Sequence, residues 1–211
     1  SKIDIGLLTA EYLESGANDA NAFLSDKLSH IVGSDTISNK AKDVILYGFG
    51  RIGRLAAREL IKQAGKGQQL RLKAIVVRKL TDAQITKRAD LLRTDSVHGS
   101  FASSLEINEN KLSIVINGQK IQFFDDNTKH KLVEHGINDA LLIDNTGVFK
   151  DYKKLSQHLE LDGVSKILLT APGSSIPNIV YGVNQQEINI ENDLIISAAS
   201  CTTNCLAPIA Y

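Results

Sequence analysis

From residue 43 onward, short apolar runs alternate with amphipathic stretches. Residues 43–47, 70–77, 140–144 and 166–170 each read as a buried strand of five to eight residues, rich in Val, Ile and Leu. The helical period follows the first run in RLAARELIKQAG, where Leu55, Leu60 and Ile61 form an apolar stripe. It returns over 83–92, over 129–134 with Gly136 as a stop, and over 152–161. Residues 112–116 and 119–124 flank Asn117-Gly118, a pair suited to a type I′ turn, and so predict a β-hairpin. Two further strands are expected at 180–184 and 194–197, and a helix after Cys201. Strands that alternate with helices predict an α/β, Rossmann-type, doubly wound and mostly parallel sheet with right-handed crossovers and an inserted hairpin.

Residues 1–42 have a different texture. Phe23, Leu24, Leu28, Ile31 and Val32 recur at helical spacing, Gly33 is a helix stop, and a polar linker follows. We expect an N-terminal helical extension and linker over 1–42 and a dinucleotide-binding domain over 43–211. The extension either packs on the domain surface or serves a subunit contact.

Composition narrows the classes. Lys and Arg total 24, and Asp and Glu total 24, so a nucleic-acid or membrane surface is not the expected main partner. No apolar run approaches the roughly 18 residues of a membrane span, and the N-terminus lacks the apolar core of a signal peptide. Two cysteines four apart make no disulfide framework, so a reduced, cytoplasmic setting is expected.

Chemistry concentrates at two places. Gly48-Phe49-Gly50-Arg51-Ile52-Gly53 lies between a predicted strand and a predicted helix, the context that gives G-x-G-x-x-G its meaning. Gly48 permits the tight turn, Gly50 admits a pyrophosphate close to the backbone, and Gly53 lets helix and strand pack. The helix start supplies N–H groups to the phosphates. An acidic residue is expected about 20 residues on to hold the ribose hydroxyls. Val76-Val77-Arg78-Lys79 stands there instead. Arg78 either accepts a 2′-phosphate, which favours NADP, or stacks on the adenine or faces solvent with NAD bound. Thr146, Gly147 and Thr170 fall at strand ends, where α/β sheets contact cofactors.

The second place is Ser197-Ala198-Ala199-Ser200-Cys201-Thr202-Thr203-Asn204-Cys205. A thiol at a strand-to-helix junction gains from the helix dipole, which favours thiolate. Two small cysteines buried in a core are the plain alternative. Cys205 is expected in the core rather than as a resolving thiol or one of a metal pair, and no metal site is expected. Pro208 removes one bond of its helix and predicts a bend. His98, in a polar loop, is read as a hydrogen-bonding residue rather than a base.

GFGRIGR (48–54), LRTDSVHGSF (92–101), DNTGVF (144–149), LLTAPG (168–173), VYGVN (180–184) and SAASCTTNCLAP (197–208) resemble the glyceraldehyde-3-phosphate dehydrogenase family, in its order. The extension and the Val-Val-Arg-Lys strand end resemble a longer bacterial branch. The resemblance implies phosphorylating oxidation of an aldehyde with NAD or NADP, and Cys201 as nucleophile. It implies that Ser200, Cys201 and Thr202 hold substrate and inorganic phosphate. Gly48, Gly50, Arg51, Ile52, Gly53, Arg78, Thr146, Gly147 and Thr170 would hold the dinucleotide. It also implies a homo-oligomer, a tetramer. A related sugar-phosphate aldehyde dehydrogenase acting on erythrose 4-phosphate, or a dinucleotide-binding module with an inert cysteine, remains open beside it. Three departures stand out. Arg78 replaces the ribose-binding Asp, Tyr47 replaces a common Asn, and no histidine among His30, His98, His130, His135 and His158 matches the family base. That base and most of the substrate domain are expected beyond Tyr211, so these residues alone are expected not to turn over.

Overall fold

The computed structural model describes residues 5–29, 41–64, 70–108 and 112–211. Two compact units are present, one of residues 1–41 with 65–69 and one of 42–64 with 70–211. In the first, α1 (Ile5–Ser15) precedes α2 (Ala20–Lys27), whose N-cap Asp19 accepts bonds from the Asn21 and Ala22 amides. Tyr12 meets Phe23 edge to face, and Lys27 pairs with Glu11. The helix stop at Gly33, Ile31, Val32, His30 and the linker up to residue 40 lie outside the described residues.

The second unit is built on an eight-stranded sheet. Its strands are β1 (Lys42–Tyr47), β2 (Leu70–Val77), β5 (Leu105–Asn108), β6 (Ser113–Ile116), β7 (Gln119–Asp125), β8 (Ala140–Asp144), β9 (Val164–Leu169) and β10 (Ile195–Ser197), in the order β10-β9-β8-β1-β2-β7-β6-β5. The first six of that order pair in parallel; β6 and β5 close one side as antiparallel strands. Val44, Ile45 and Leu46 are fully buried, because an interior parallel strand is covered on both faces. α3 (Arg51–Gln63) and α4 (Asp82–Arg93) cover one face with Val44, Leu46 and Ile75 beneath them. α5 (Tyr152–Leu155) and short 3-10 turns cover the other, with Ile45, Val76 and Leu142. A two-residue ladder, β3 (Thr94–Asp95) with β4 (Gly99–Ser100), follows α4. The last helix is α6 (Cys201–Ala210). Among the described residues no helix is long and apolar enough to cross a membrane.

The Rossmann-type sheet and its hairpin are present as read; Asn117 and Gly118 both have positive φ, as a type I′ turn needs. Several boundaries differ. α3 starts at Arg51, inside the glycine motif, and its buried face is Ala57, Arg58 and Ile61. Arg58 is tolerated there because it donates to the Leu92 and Gly99 carbonyls and lies over Phe101. The helices expected at 129–134 and 152–161 break into 3-10 turns, one closed by left-handed Gly136. Residues 180–184 are a turn, not a strand: Gly182 has φ of 91°, and the Asn184 side chain takes the Val180 amide that a ladder would use. β5, which pairs with β6 from Leu105↔Ile116, was not legible as a strand.

Candidate dinucleotide cleft and cysteine helix

All six parallel strands end at one edge of the sheet, and the chain's candidate chemistry lies along it. Past β10 comes Cys201, past β9 Thr170, past β8 Thr146 and Gly147, past β1 the glycine loop, and past β2 Arg78. β1 sits between β2 and β8, and its crossover through α3 runs to β2, so the chain reverses direction across the sheet at β1. A crevice at such a switch point is where open α/β sheets bind ligands. A cleft of about 650 Å³ opens there, lined by Gly48, Gly50, Arg54, Arg78, Arg88 and Thr146, among others.

The three glycines of the loop do different work. Gly48 has φ of +89°, and a Cβ on it would sit 2.8 Å from Thr146 Cγ2. A Cβ on Gly53 would sit 2.3 Å from the Gly48 carbonyl oxygen. Both residues are fixed by the protein's own packing. Gly50 is not: a Cβ there would meet nothing within 4 Å, and its φ is −74°. The space over Gly50 is where a pyrophosphate would approach. Gly50 is also the N-cap of α3 and gives no side-chain bond, so the first-turn amides lack a side-chain cap. This cradle fits a dinucleotide pyrophosphate. Arg51 and Ile52 are exposed on that first turn. Asp95 stands beside them, buried, 4.0 Å from Arg51 Nε and 3.7 Å from Arg54 Nη2. The Val97 and His98 amides donate to Asp95, as does His98 Nδ1–H, and hold its carboxyl far below the ordinary range. His98 is thus a hydrogen-bonding residue anchored by a buried carboxylate, in the turn that joins β3 to β4.

The β8 end is held from below. Asp144 is fully buried; its Oδ1 accepts from the Thr146 amide and hydroxyl, both at 2.7 Å, and its Oδ2 lies 3.2 Å from His158 Nε2. Thr170 donates to the Asp144 carbonyl. Gly147 follows Thr146 with φ of +63°. At the β2 and β7 end of the cleft, Tyr47 donates to Asp126 Oδ1 at 3.0 Å, and Lys129 Nζ reaches the same oxygen at 3.0 Å. Burial works to raise the Asp126 pKa but is outweighed by the bonds from Lys129 and Tyr47 and the charges of Lys129 and Arg78, so Asp126 is held low. The Tyr47 ring also lies tilted against His158, with centroids 4.4 Å apart. Tyr47 is thereby accounted for as a tie between three chain segments.

α6 begins with Cys201, which is exposed. Ser200 caps it, accepting from the Thr203 amide at 2.9 Å and bonding the Thr203 hydroxyl at 2.8 Å. Asn204 donates to the Ala198 and Ser200 carbonyls, tying the approach loop to the first turn. Ser197, fully buried, donates to the Ala171 carbonyl and takes the Ala199 amide. Ala199 has φ of 58°, a conformation disfavoured for a residue with a Cβ and held here by that bond. Thr202 is exposed on the same turn. Cys205 is exposed too, not a core residue, because no residue of α6 is buried; Leu206, Ile209 and Tyr211 stand in the open beside it. Pro208 lies inside the helix.

Of the residues singled out from sequence, Gly48, Gly50, Arg78 and Thr146 line the cleft together. Gly53 stands behind it, and Arg51 and Ile52 flank it. Cys201, Ser200 and Thr202 share its sheet edge, three strands away from β1. Sequence reading missed Arg54, Arg88, Leu91, Asp126 and Phe149 as lining residues. Arg88 and Leu91 had one signal, an i,i+3 spacing on a predicted helix.

Comparison with known proteins agrees with this geometry. Residues 42–152 match the family described as "Glyceraldehyde 3-phosphate dehydrogenase, NAD binding domain". A "Glyceraldehyde-3-phosphate dehydrogenase-like protein" of Pseudomonas aeruginosa is 42% identical over 214 residues, covering 99% of this chain and 46% of its own length. A glyceraldehyde-3-phosphate dehydrogenase of Chlamydia muridarum is 35% identical over 168 residues, and glyceraldehyde-3-phosphate dehydrogenase 2 of Saccharomyces cerevisiae 37% over 170. Each of these two covers 79% of this chain and 47% of the relative. The chain spans about half the length of the curated relatives it matches.

Proposed function

This chain belongs to the glyceraldehyde 3-phosphate dehydrogenase family and carries its NAD-binding domain, and on that premise we propose that it forms the cofactor-binding and nucleophile-bearing part of an NAD(P)-dependent, phosphorylating aldehyde dehydrogenase. One observation carries the reading. An exposed thiol, Cys201, opens a capped helix on the same sheet edge as a glycine-lined dinucleotide cleft.

The loop at Gly48 and Gly50 and the first-turn amides of α3 hold the pyrophosphate. Thr146, Gly147 and Thr170 flank the nicotinamide half. When bound, the nicotinamide supplies the hydride acceptor. Cys201 Sγ, as thiolate, adds to the aldehyde carbon of glyceraldehyde 3-phosphate and forms a C–S bond. The oxygen that gains charge is met by the Cys201 amide, with the Ser200 and Thr202 hydroxyls nearby. Oxidation of this hemithioacetal leaves a thioester on Sγ. An oxygen of inorganic phosphate then attacks the acyl carbon and Sγ leaves as thiolate, releasing 1,3-bisphosphoglycerate. A thiolate suits both steps, as strong nucleophile and good leaving group. None of the described histidines is assigned as base in this scheme: His130 is exposed on the 3-10 turn after β7, on the other side of β1 from β10 in the sheet order. His158 is buried on Asp144, His98 is bonded to Asp95, and His135 packs against Phe124. The family base is assigned to sequence other than these residues, and assembly into a homo-oligomer belongs to the same reading.

The test uses a chain of the relatives' full length. Cys201→Ser is expected to abolish NAD(P)H formation from glyceraldehyde 3-phosphate and phosphate while dinucleotide affinity stays unchanged. Turnover that survives the substitution overturns the assignment. The 211 residues alone are expected to bind dinucleotide without turnover.

A further inference from the structure

Thr146 and Thr170 stand at neighbouring strand ends, past β8 and β9, and both turn their donors inward onto one residue. The Thr146 amide and hydroxyl donate to Asp144 Oδ1, each at 2.7 Å. The Thr170 amide and hydroxyl donate to the Asp144 carbonyl, each at 3.0 Å. Asp144 thus collects all four donors of the two threonines. A hydroxyl whose proton is committed has only lone pairs left to offer. The Val148 amide takes one lone pair of the Thr146 oxygen at 3.1 Å, and the second remains. Thr146 is exposed and lines the cleft.

The polarity here is the reverse of the glycine end. There the uncapped first-turn amides of α3 present donors, which suit phosphate oxygens. Here the threonines present acceptors, which suit a sugar hydroxyl or an amide N–H and repel a phosphate oxygen. Asp144 imposes this only while its carboxylate keeps one orientation. It is fully buried, so both of its oxygens need donors. Oδ1 has Thr146, and Oδ2 lies 3.2 Å from His158 Nε2. A carboxylate has acceptors alone, so the ring proton stands on Nε2 and is donated to Oδ2. His158 is itself buried, and no step of the proposed reaction uses it. Its ring lies 4.4 Å from that of Tyr47 and 5.5 Å from that of Phe149, centroid to centroid, and both of those residues line the cleft.

We propose that Asp144 and His158 are positioning residues for the dinucleotide: Asp144 sets Thr146 and Thr170 as hydrogen-bond acceptors at the sheet edge, and His158 holds the carboxylate in the orientation that does so. The acceptors favour the sugar and carboxamide donors of the nicotinamide half over the pyrophosphate, and so set which way round the ligand lies. The inference rests on the dinucleotide reading of the cleft and adds what orients the ligand in it.

The experiment is a fluorescence titration with NADH, and its competition by ADP, on a chain of the relatives' full length. ADP carries a diphosphate but no nicotinamide riboside, so it reports the glycine end alone. The unaltered protein is expected to bind NADH tighter than ADP. His158→Phe keeps a ring against Tyr47 and Phe149 but has no N–H for Oδ2. Its NADH affinity should fall by about tenfold, the equivalent of one hydrogen bond to a charged group, while ADP affinity stays within about twofold. His158→Gln loses the ring but restores a donor, and should bind NADH within about threefold of the unaltered protein. A packing role alone predicts the opposite order of the two variants. Thr146→Val removes the exposed acceptor itself and should show the same NADH-selective loss, which keeps the test valid if His158→Phe fails to fold. The positioning roles are overturned by an unchanged NADH affinity in His158→Phe or Thr146→Val, by equal losses for NADH and ADP, or by His158→Gln as damaging as His158→Phe. NADH bound no tighter than ADP by the unaltered protein overturns them too. Binding of neither ligand overturns the dinucleotide reading itself.

Discussion

The glycine loop after β1 and the cysteine turn after β10 stand at the same sheet edge, yet they are held in opposite ways. The loop is locked from both sides. Gly48 presses on Thr146, Gly53 presses on the Gly48 carbonyl, and the helix that follows buries Ala57 and Ile61. The cysteine turn is locked only from behind. Ser197 anchors its approach and Ser200 caps its helix, but α6 buries no residue. The glycine loop and the strand end that supports it both lie within the part that matches the NAD-binding domain. The thiol stands at the start of a helix that buries no residue among these 211, so its chemistry is read from the family and the helix start rather than from side chains packed around it.

The largest expected effect comes from removing the support beneath the first region. Asp144→Ala takes away an acceptor shared by the Thr146 amide, the Thr146 hydroxyl and buried His158. Loss of about 2–4 kcal/mol in urea unfolding is expected, together with weaker dinucleotide binding. A stability change below 1 kcal/mol would mean that the loop stands without this network.

The glycines allow a sharper cut. Gly53→Ala forces a Cβ to within 2.3 Å of a backbone oxygen and should cost about 1–3 kcal/mol or more. Gly50→Ala meets open space at a permitted φ, so its stability should change by less than about 1 kcal/mol. Its dinucleotide affinity should nevertheless fall by on the order of tenfold, because the added methyl occupies the pyrophosphate approach. Equal effects on folding, or no effect of Gly50→Ala on binding, would break the distinction between packing glycine and ligand glycine.

This contrast also explains what was legible in the sequence. Gly48, Gly50 and Gly53 declare themselves because their steric demand is written in residue type and in spacing along one strand–turn–helix unit. Cys201 and its hydroxyl neighbours are likewise contiguous. Arg88 and Asp126 are not: they enter the cleft from α4 and from the turn after β7, and only the order β8-β1-β2-β7 brings them beside Gly48. Tyr47 was uninterpretable for the same reason, since its partners Asp126 and Lys129 lie about 80 residues on. Residues 180–184 misled because their apolar start resembles a strand, while Asn184 closes them into a turn through its own side chain. Cys205 misled through a sound general tendency, burial of small thiols, that needs a packing surface α6 does not have here.

The smallest effect tests the second region on its own terms. Ser200→Ala removes the acceptor of the Thr203 amide and the partner of the Thr203 hydroxyl. An N-cap of this kind contributes about 1 kcal/mol to its helix. Because no residue of α6 is buried, that loss should not reach the sheet, and the urea midpoint of the domain should hardly move. Amide hydrogen exchange at residues 201–205 should quicken by about fivefold, the equivalent of 1 kcal/mol, while exchange in β1 and β8 stays unchanged. The Cys201 amide lies in that first turn, so looser exchange there would accompany a less defined site for the charge that develops on the substrate oxygen. If instead β9 and β10 exchange faster as well, the cap is coupled through Ser197 to the sheet, and the cysteine turn is held as firmly as the glycine loop.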